Sequence, residues 1–200
     1  DATFERLLTL AEQLDLPIHC HIHETRDEIA HSLAAPGCRP LERLHRLGLL
    51  GPHFIGVHGV HLDQGEIELL AGLGCALAHC PTSNLKLASG IAPVAAMVRK
   101  GLRVGLGTDG AASNNRLDVL QEMRLAALLA KGSSGDATIL GTHAVLRMAT
   151  LDSAAALGLD QRIGSLVPGK AADLAAFHLG ALETTPCFDP VSHLLYVIDR

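Results

Sequence analysis

Three short apolar runs in this chain each stop on residues that carry chemistry: His21-Ile22-His23-Glu24 after Leu16 to Cys20, His58-Gly59-Val60-His61 after Phe54 to Val57, and Thr108-Asp109-Gly110 after Val104 to Gly107. Runs of that length, bounded by turn formers, read as buried strands, and a buried strand has no intrinsic need for imidazole or carboxylate. Neutral imidazole and carboxylate are the usual ligands of a catalytic zinc, and an unligated Glu nearby is the usual proton acceptor. The pattern points to a metallohydrolase built on α/β units.

Helical and strand patterns alternate along most of the chain. Helices are expected at Phe4 to Leu14, Arg26 to Leu33, Leu41 to Leu47, Gln64 to Leu73, Pro93 to Lys100, Arg116 to Lys131 and through Thr142 to Leu157. Strands are expected at Pro17 to His23, Phe54 to Val60, Cys75 to Cys80 and Arg103 to Thr108, with loops at Pro81 to Gly90 and Lys131 to Asp136. Four parallel βα units result. From Gly164 to Phe177 a Val-Pro-Gly-Lys turn between two apolar runs predicts a hairpin in a small second β element.

With 200 residues, 48% of them hydrophobic, the chain has ample material for a core. A net charge of -5 with one Tyr and no Trp argues against nucleic acid as a partner. Five cysteines without CxxC spacing read as free thiols in a reducing, cytoplasmic setting. No stretch approaches the roughly 20 apolar residues of a membrane span, so no membrane partner is expected.

Strand alternation puts His19, His21 and His23 on one face and Ile18, Cys20 and Ile22 on the other. Such a stripe needs metal, water or hydrogen-bond partners, or else it is a set of satisfied core histidines. On the fourth strand Gly105, Gly107 and Asp109 share a face, which places a carboxylate above an open floor, although an Asp here also suits a helix cap or loop. Gly105-Leu106-Gly107-Thr108-Asp109-Gly110 matches GxGxxG literally, so a dinucleotide-binding turn is a competing reading, and a noncatalytic barrel fragment is another. His79 reads as a pocket residue, and His61 as structural or surface.

His21-x-x-Glu24 followed by Glu28, then His58, the run His79-Cys80-Pro81-Thr82-Ser83-Asn84 through Pro93, and Gly107-Thr108-Asp109-Gly110 through Asn115 together resemble the amidohydrolase superfamily, within it the 5-methylthioadenosine/S-adenosylhomocysteine deaminases. Gly164 to Phe177 resembles that superfamily's C-terminal GSLxxGKxADL signature. The resemblance implies a (β/α)8 barrel with a small β-sandwich, and zinc-dependent deamination of a purine nucleoside in a homo-oligomeric enzyme. It implies metal ligands His21 and Asp109, catalytic Glu24, His58 and Asp109, and substrate contacts from Glu24, Asp109, Asn84 and Ser113. Guanine or 8-oxoguanine deaminases and triazine hydrolases are alternatives on the same scaffold.

The superfamily's first barrel strand ends in an HxH pair, and no fitting pair occurs here. The expectation is therefore a fragment: barrel strands five to eight over 1–162 and part of the sandwich over 163–200. Such a piece is expected to hold zinc weakly and to associate through open edges at its first and last strands.

Overall fold

Leu14-Asp15-Leu16-Pro17 turns the first helix into the first strand, since Asp15 is left-handed (φ 52°) and closes helix α1 (Ala2–Leu14). The computed structural model describes residues 1–199; Arg200, the end of the expected second unit, lies outside the described residues. Strand β1 (Ile18–Ile22) leads to α2 (Arg26–Ala34) and α3 (Pro40–Arg46). Next come β2 (Phe54–His58), α4 (Gln64–Gly72), β3 (Ala76–His79), α5 (Pro81–Lys86), α6 (Val94–Arg99) and β4 (Arg103–Leu106). Helices α7 (Val119–Ser134), α8 (Thr142–Ala149), α9 (Leu151–Ala156) and α10 (Pro190–Tyr196) complete the order.

The four strands form one parallel sheet in sequential order β1-β2-β3-β4, as the alternating pattern predicts. Register sets Ile22 beside His58 and His79 beside Leu106, so the carboxyl ends of the strands lie level. Helices cover the sheet through a core that includes Ile22, Leu41, Phe54, Ile67, Leu77 and Met97. Each such side chain contributes roughly 1.5–3 kcal/mol on burial.

Several local expectations change. The loop expected over Pro81 to Gly90 begins as a helix, because Pro81 at the first helical position loses no needed N–H and presets φ. Residues 131–134 extend α7 instead of forming a loop, and the helix stops at left-handed Gly135 (φ 67°). The single segment expected over Thr142 to Leu157 breaks at Thr150 (φ -126°, ψ -93°) into α8 and α9. The start of α7 moves from Arg116 to Val119, where Asp118 accepts a hydrogen bond from Leu120 N–H as a cap.

The hairpin expected over Gly164 to Phe177 is not formed. Residues 166–180 contain no strand, and Leu166 and Leu174 are 79% and 68% exposed. Turn residues alone do not make a hairpin: without a further layer to bury its apolar face, an isolated two-stranded ribbon is marginal. A 3₁₀ turn (Leu182–Thr184) follows, and α10 then returns to pack on α7 and α8 with Leu195 fully buried. Arg124 on α7 holds that return, donating to the carbonyls of Leu195 (3.1 Å) and Ile198 (2.7 Å).

The two outer strands differ. At β4, Leu106 N–H is taken up by Ser153 Oγ at 3.0 Å and α9 packs against the strand, so this edge is partly covered rather than open. Gly105 makes the approach possible, because a Cβ there would lie 2.6 Å from Ser153 Oγ and 3.0 Å from its Cα. Gly105→Ala should push α9 off the strand and destabilise the protein by about 1–3 kcal/mol, the cost of overpacking, read as a lowered urea midpoint with unchanged slope; an unchanged midpoint would refute this account of the β4 edge.

Candidate metal centre

Each of the three strands singled out by its polar end leaves the sheet through a left-handed residue: His23 (φ 50°), His58 (φ 71°) and Asp109 (φ 59°). That conformation costs a non-glycine residue about 1–2 kcal/mol, and it persists where surrounding bonds over-determine it.

At β1 the alternation predicted for the strand holds through Ile22, with Ile18 and Ile22 buried and His19 and His21 exposed. It fails at His23. The left-handed turn takes His23 away from His21 and buries it completely, so the three imidazoles do not share a face. His23 Nε2 accepts Leu41 N–H at 3.1 Å, while Nδ1 lies 3.1 Å from an Arg39 guanidinium nitrogen and 3.5 Å from Glu66 Oε2. Burial holds the ring below its usual pKa, with Glu66 opposing and Arg39 reinforcing the shift. Arg39 grips Glu66 with two bonds of 2.7 and 2.8 Å and donates to the His61 carbonyl at 2.8 Å. His23 is therefore a satisfied buried histidine.

The reverse happens at the other strand ends. Ring nitrogens of His21 and His58 and a carboxylate oxygen of Asp109 all lie within 4.8 Å of one another. The His21 and His58 rings stack with centroids 5.2 Å apart at 19°. Glu24 stands alongside, its Oε2 3.7 Å from His58 Nε2 and its Oε1 accepting from Ser89 Oγ at 3.4 Å. Two imidazoles and one carboxylate form a donor set suited to zinc, which takes three protein ligands in catalytic sites and keeps a fourth position open.

The groups around this cluster orient it. Asp109 Oδ2 accepts from both Ser83 Oγ (2.7 Å) and Ser113 Oγ (2.5 Å). Burial works to raise the Asp109 carboxyl, but bonds from Ser113, Ser83 and Gly110 outweigh it and hold the pKa at about 2. His58 Nδ1 lies 2.8 Å from Asn84 Oδ1; donation there leaves Nε2 as the lone-pair atom of a neutral ring. Asn84 and Ser113, expected at the substrate, thus have their side-chain oxygens engaged behind His58 and Asp109. Among the described residues Asn84 Nδ2 and His79 Nδ1 are buried without partners, and burial, with His58 nearby, pushes His79 down to about 4.

Glu122, on α7, escaped the sequence reading. It is fully buried, accepts Thr82 N–H (3.0 Å) and Asn114 Nδ2–H (2.7 Å), and so ties the segment bearing Ser83 to the one bearing Ser113. Burial, only partly countered by those bonds, raises its pKa. Its signal was present: Glu122 shares the i, i+4, i+8 stripe with buried Ala126 and Ala130.

The dinucleotide alternative fails on geometry. Gly105 and Leu106 belong to β4, its flank is filled by Ser153, and the next helix starts only at Val119, too far from Gly110 to present its N-terminus to a phosphate.

Residues 1–196 match the family model described as "Amidohydrolase family". The chain belongs to the amidohydrolase family. Over 196 residues it is 46% identical to a 5-methylthioadenosine/S-adenosylhomocysteine deaminase of Teredinibacter turnerae, an alignment covering 98% of this chain and 44% of that protein. A crystal structure of an adenosine deaminase from Xanthomonas campestris with bound zinc superposes with a TM-score of 0.96 at 51% identity, covering 98% of this chain and 45% of that one. The zinc complex of atrazine chlorohydrolase from Arthrobacter aurescens superposes with a TM-score of 0.90 at 31% identity, covering 96% and 43%. The chain thus spans less than half the length of the relatives it matches. No described helix is long and apolar enough to cross a membrane, and all five cysteines are free.

Removing one of the hydroxyls that orient Asp109 should weaken the cluster without deleting a ligand. Ser113→Ala is expected to lower affinity for Co²⁺ or Zn²⁺ by about 10–100-fold, the usual effect of an outer-shell partner, measured by competition with a chromophoric chelator. An unchanged affinity would detach Ser113 from the metal centre.

Proposed function

We propose that this chain forms strands five to eight of a (β/α)8 amidohydrolase barrel whose reaction is hydrolytic deamination of 5-methylthioadenosine or S-adenosylhomocysteine to the inosine derivative and ammonia. One observation carries the reading: ligand atoms of His21, His58 and Asp109 converge within 4.8 Å while the Glu24 carboxylate lies beside His58. Zinc found in a solved relative and the names of the closely similar deaminases support it. At 31% identity the atrazine chlorohydrolase is the more distant likeness, which favours a nucleoside over a triazine.

His21 and Asp109 would hold zinc, with His58 as a third donor or a neighbour of the attacking water. When bound, zinc supplies a Lewis acid that brings the pKa of a coordinated water to about 7. Glu24 accepts a proton from the attacking water and delivers it to the purine ring nitrogen as general base and then general acid. The carbon bearing the amino group gains an oxygen; the second proton of that oxygen passes by way of Glu24 to the exocyclic amino nitrogen, the bond from the carbon to the amino nitrogen breaks, and ammonia leaves while the ring nitrogen keeps the first proton. His58 Nε2, 3.7 Å from Glu24, holds the oxygen nucleophile on the correct side of the ring. Asp109, kept ionised by two serine hydroxyls, presents fixed negative charge to the metal and substrate. Ser113 orients Asp109 and Asn84 orients His58 through their side-chain oxygens, beside any contact they make with substrate.

In an active enzyme carrying this sequence, Glu24→Gln is expected to retain zinc and lose deamination of 5-methylthioadenosine by about two to four powers of ten. His21→Ala and Asp109→Ala should lose metal as well, measured by elemental analysis after gel filtration. Near-normal turnover in the Gln variant would remove Glu24 from the mechanism, and full zinc in both Ala variants would overturn the ligand assignment.

A further inference from the structure

Glu24 is useful as a proton carrier only if its carboxylate is held beside His58, yet it sits just past the end of β1, in the link to α2. That link is not left loose. Both oxygens of the Glu28 carboxylate accept backbone N–H groups of the two residues before the helix cap: Oε1 from His23 at 2.9 Å and Oε2 from Glu24 at 2.8 Å. Thr25 caps α2 in the usual way, its hydroxyl accepting Glu28 N–H at 3.1 Å. In an ordinary capping box the acidic residue at the third helical position returns its side chain to the N-cap N–H. Here Glu28 reaches past Thr25, one and two residues further back, and takes hold of Glu24 itself.

A second anchor acts from the other side of the link. His23 is left-handed, and its carbonyl accepts His61 N–H at 3.0 Å while its ring is bound by Leu41 N–H. With its own N–H on Glu28, every polar group of His23 is engaged, so the turn that swings the chain away from the sheet is fully determined. Only then does the Glu24 side chain fall between His58 and Ser89.

We propose that Glu28 is a positioning residue for Glu24: its carboxylate locks the His23 and Glu24 amides, and so fixes where the proton-carrying group stands relative to His58. The proposal rests on the role given to Glu24 above. Because Thr25 keeps the helix cap, removing the Glu28 carboxylate should loosen the link without melting α2.

Hydrogen exchange on the 200-residue chain tests the clamp without metal or turnover. Glu28→Ala should speed exchange at the His23 and Glu24 amides by at least tenfold while Ile22 and the α2 interior keep their protection; Glu28→Gln, with one oxygen left to accept, should release only one of the two amides. In an active enzyme, Glu28→Ala should lower kcat for 5-methylthioadenosine by about a hundredfold, the scale of a misplacement near 1 Å, with zinc content and KM unchanged. In the Glu24→Gln background the same change should have little further effect. Equal losses in both backgrounds, or amides that stay protected, would overturn the proposal and leave Glu28 a helix-capping residue. Full activity in Glu24→Gln alone would instead sink the catalytic reading, and the proposal with it; the exchange data distinguish that failure from an absent clamp.

Discussion

The centre depends on curvature imposed on a parallel sheet. Neighbouring strands are held about 4.8 Å apart by their hydrogen bonds, so a flat four-stranded sheet would keep β1 and β4 about 14 Å from each other. His21 lies in the first and Asp109 follows the last, yet their ligand atoms come within 4.8 Å. Parallel sheets twist, and those that close into barrels coil, which turns strand ends inward. The level register of Ile22 with His58 and His79 with Leu106 does the remainder. With the backbone already placed, a left-handed residue at the end of each ligand-bearing strand decides which side chain turns into the cluster and which turns out of it.

Around this frame the protein uses buried carboxylates as ties between successive strand-end segments. Glu66 joins α4 to Arg39 before α3, and Glu122 joins the segments after β3 and β4. Asp109 gathers hydroxyls from both of those segments. Removing one partner of such a tie leaves a desolvated acceptor or donor unsatisfied, which typically costs about 1–3 kcal/mol. These ties spend stability on geometry: an apolar substitute could pack as well but would not set the angle at which a carboxylate meets a metal. The partnerless Asn84 Nδ2 and His79 Nδ1 lie in the same shell, the kind of local exception that gathers where function constrains a fold.

Much of the plan was legible in the chain because it is governed by local rules. Apolar runs of strand length, turn formers at their ends and helical spacing between them are properties of neighbouring residues, and they place β1 to β4 within two residues of their observed bounds. His21, His58 and Asp109 could be picked out since a charged or imidazole group at the end of a buried run has no packing reason to be there. The hairpin near Pro168 was misread for the complementary reason: turn chemistry is local, but a strand exists only with a partner, and residues 166–180 find none.

What the sequence by itself determined was the kind of chain and which polar groups end its apolar runs; tertiary structure decided their company. Strand period alone grouped His23 with His21, and the left-handed backbone separated them, since its cost is repaid only by bonds from Glu28, Leu41 and His61. The family resemblance implies substrate contacts from Asn84 and Ser113, and the fold adds that their side-chain oxygens face His58 and Asp109. Glu122 shows in sequence only as a position on a helical stripe and Glu66 only as a capping-box acid, because a buried carboxylate is explained by partners that stand 40 and 27 residues away along the chain. Periodicity reports on a residue's neighbours in sequence, whereas hydrogen bonding among buried charges is settled by its neighbours in space.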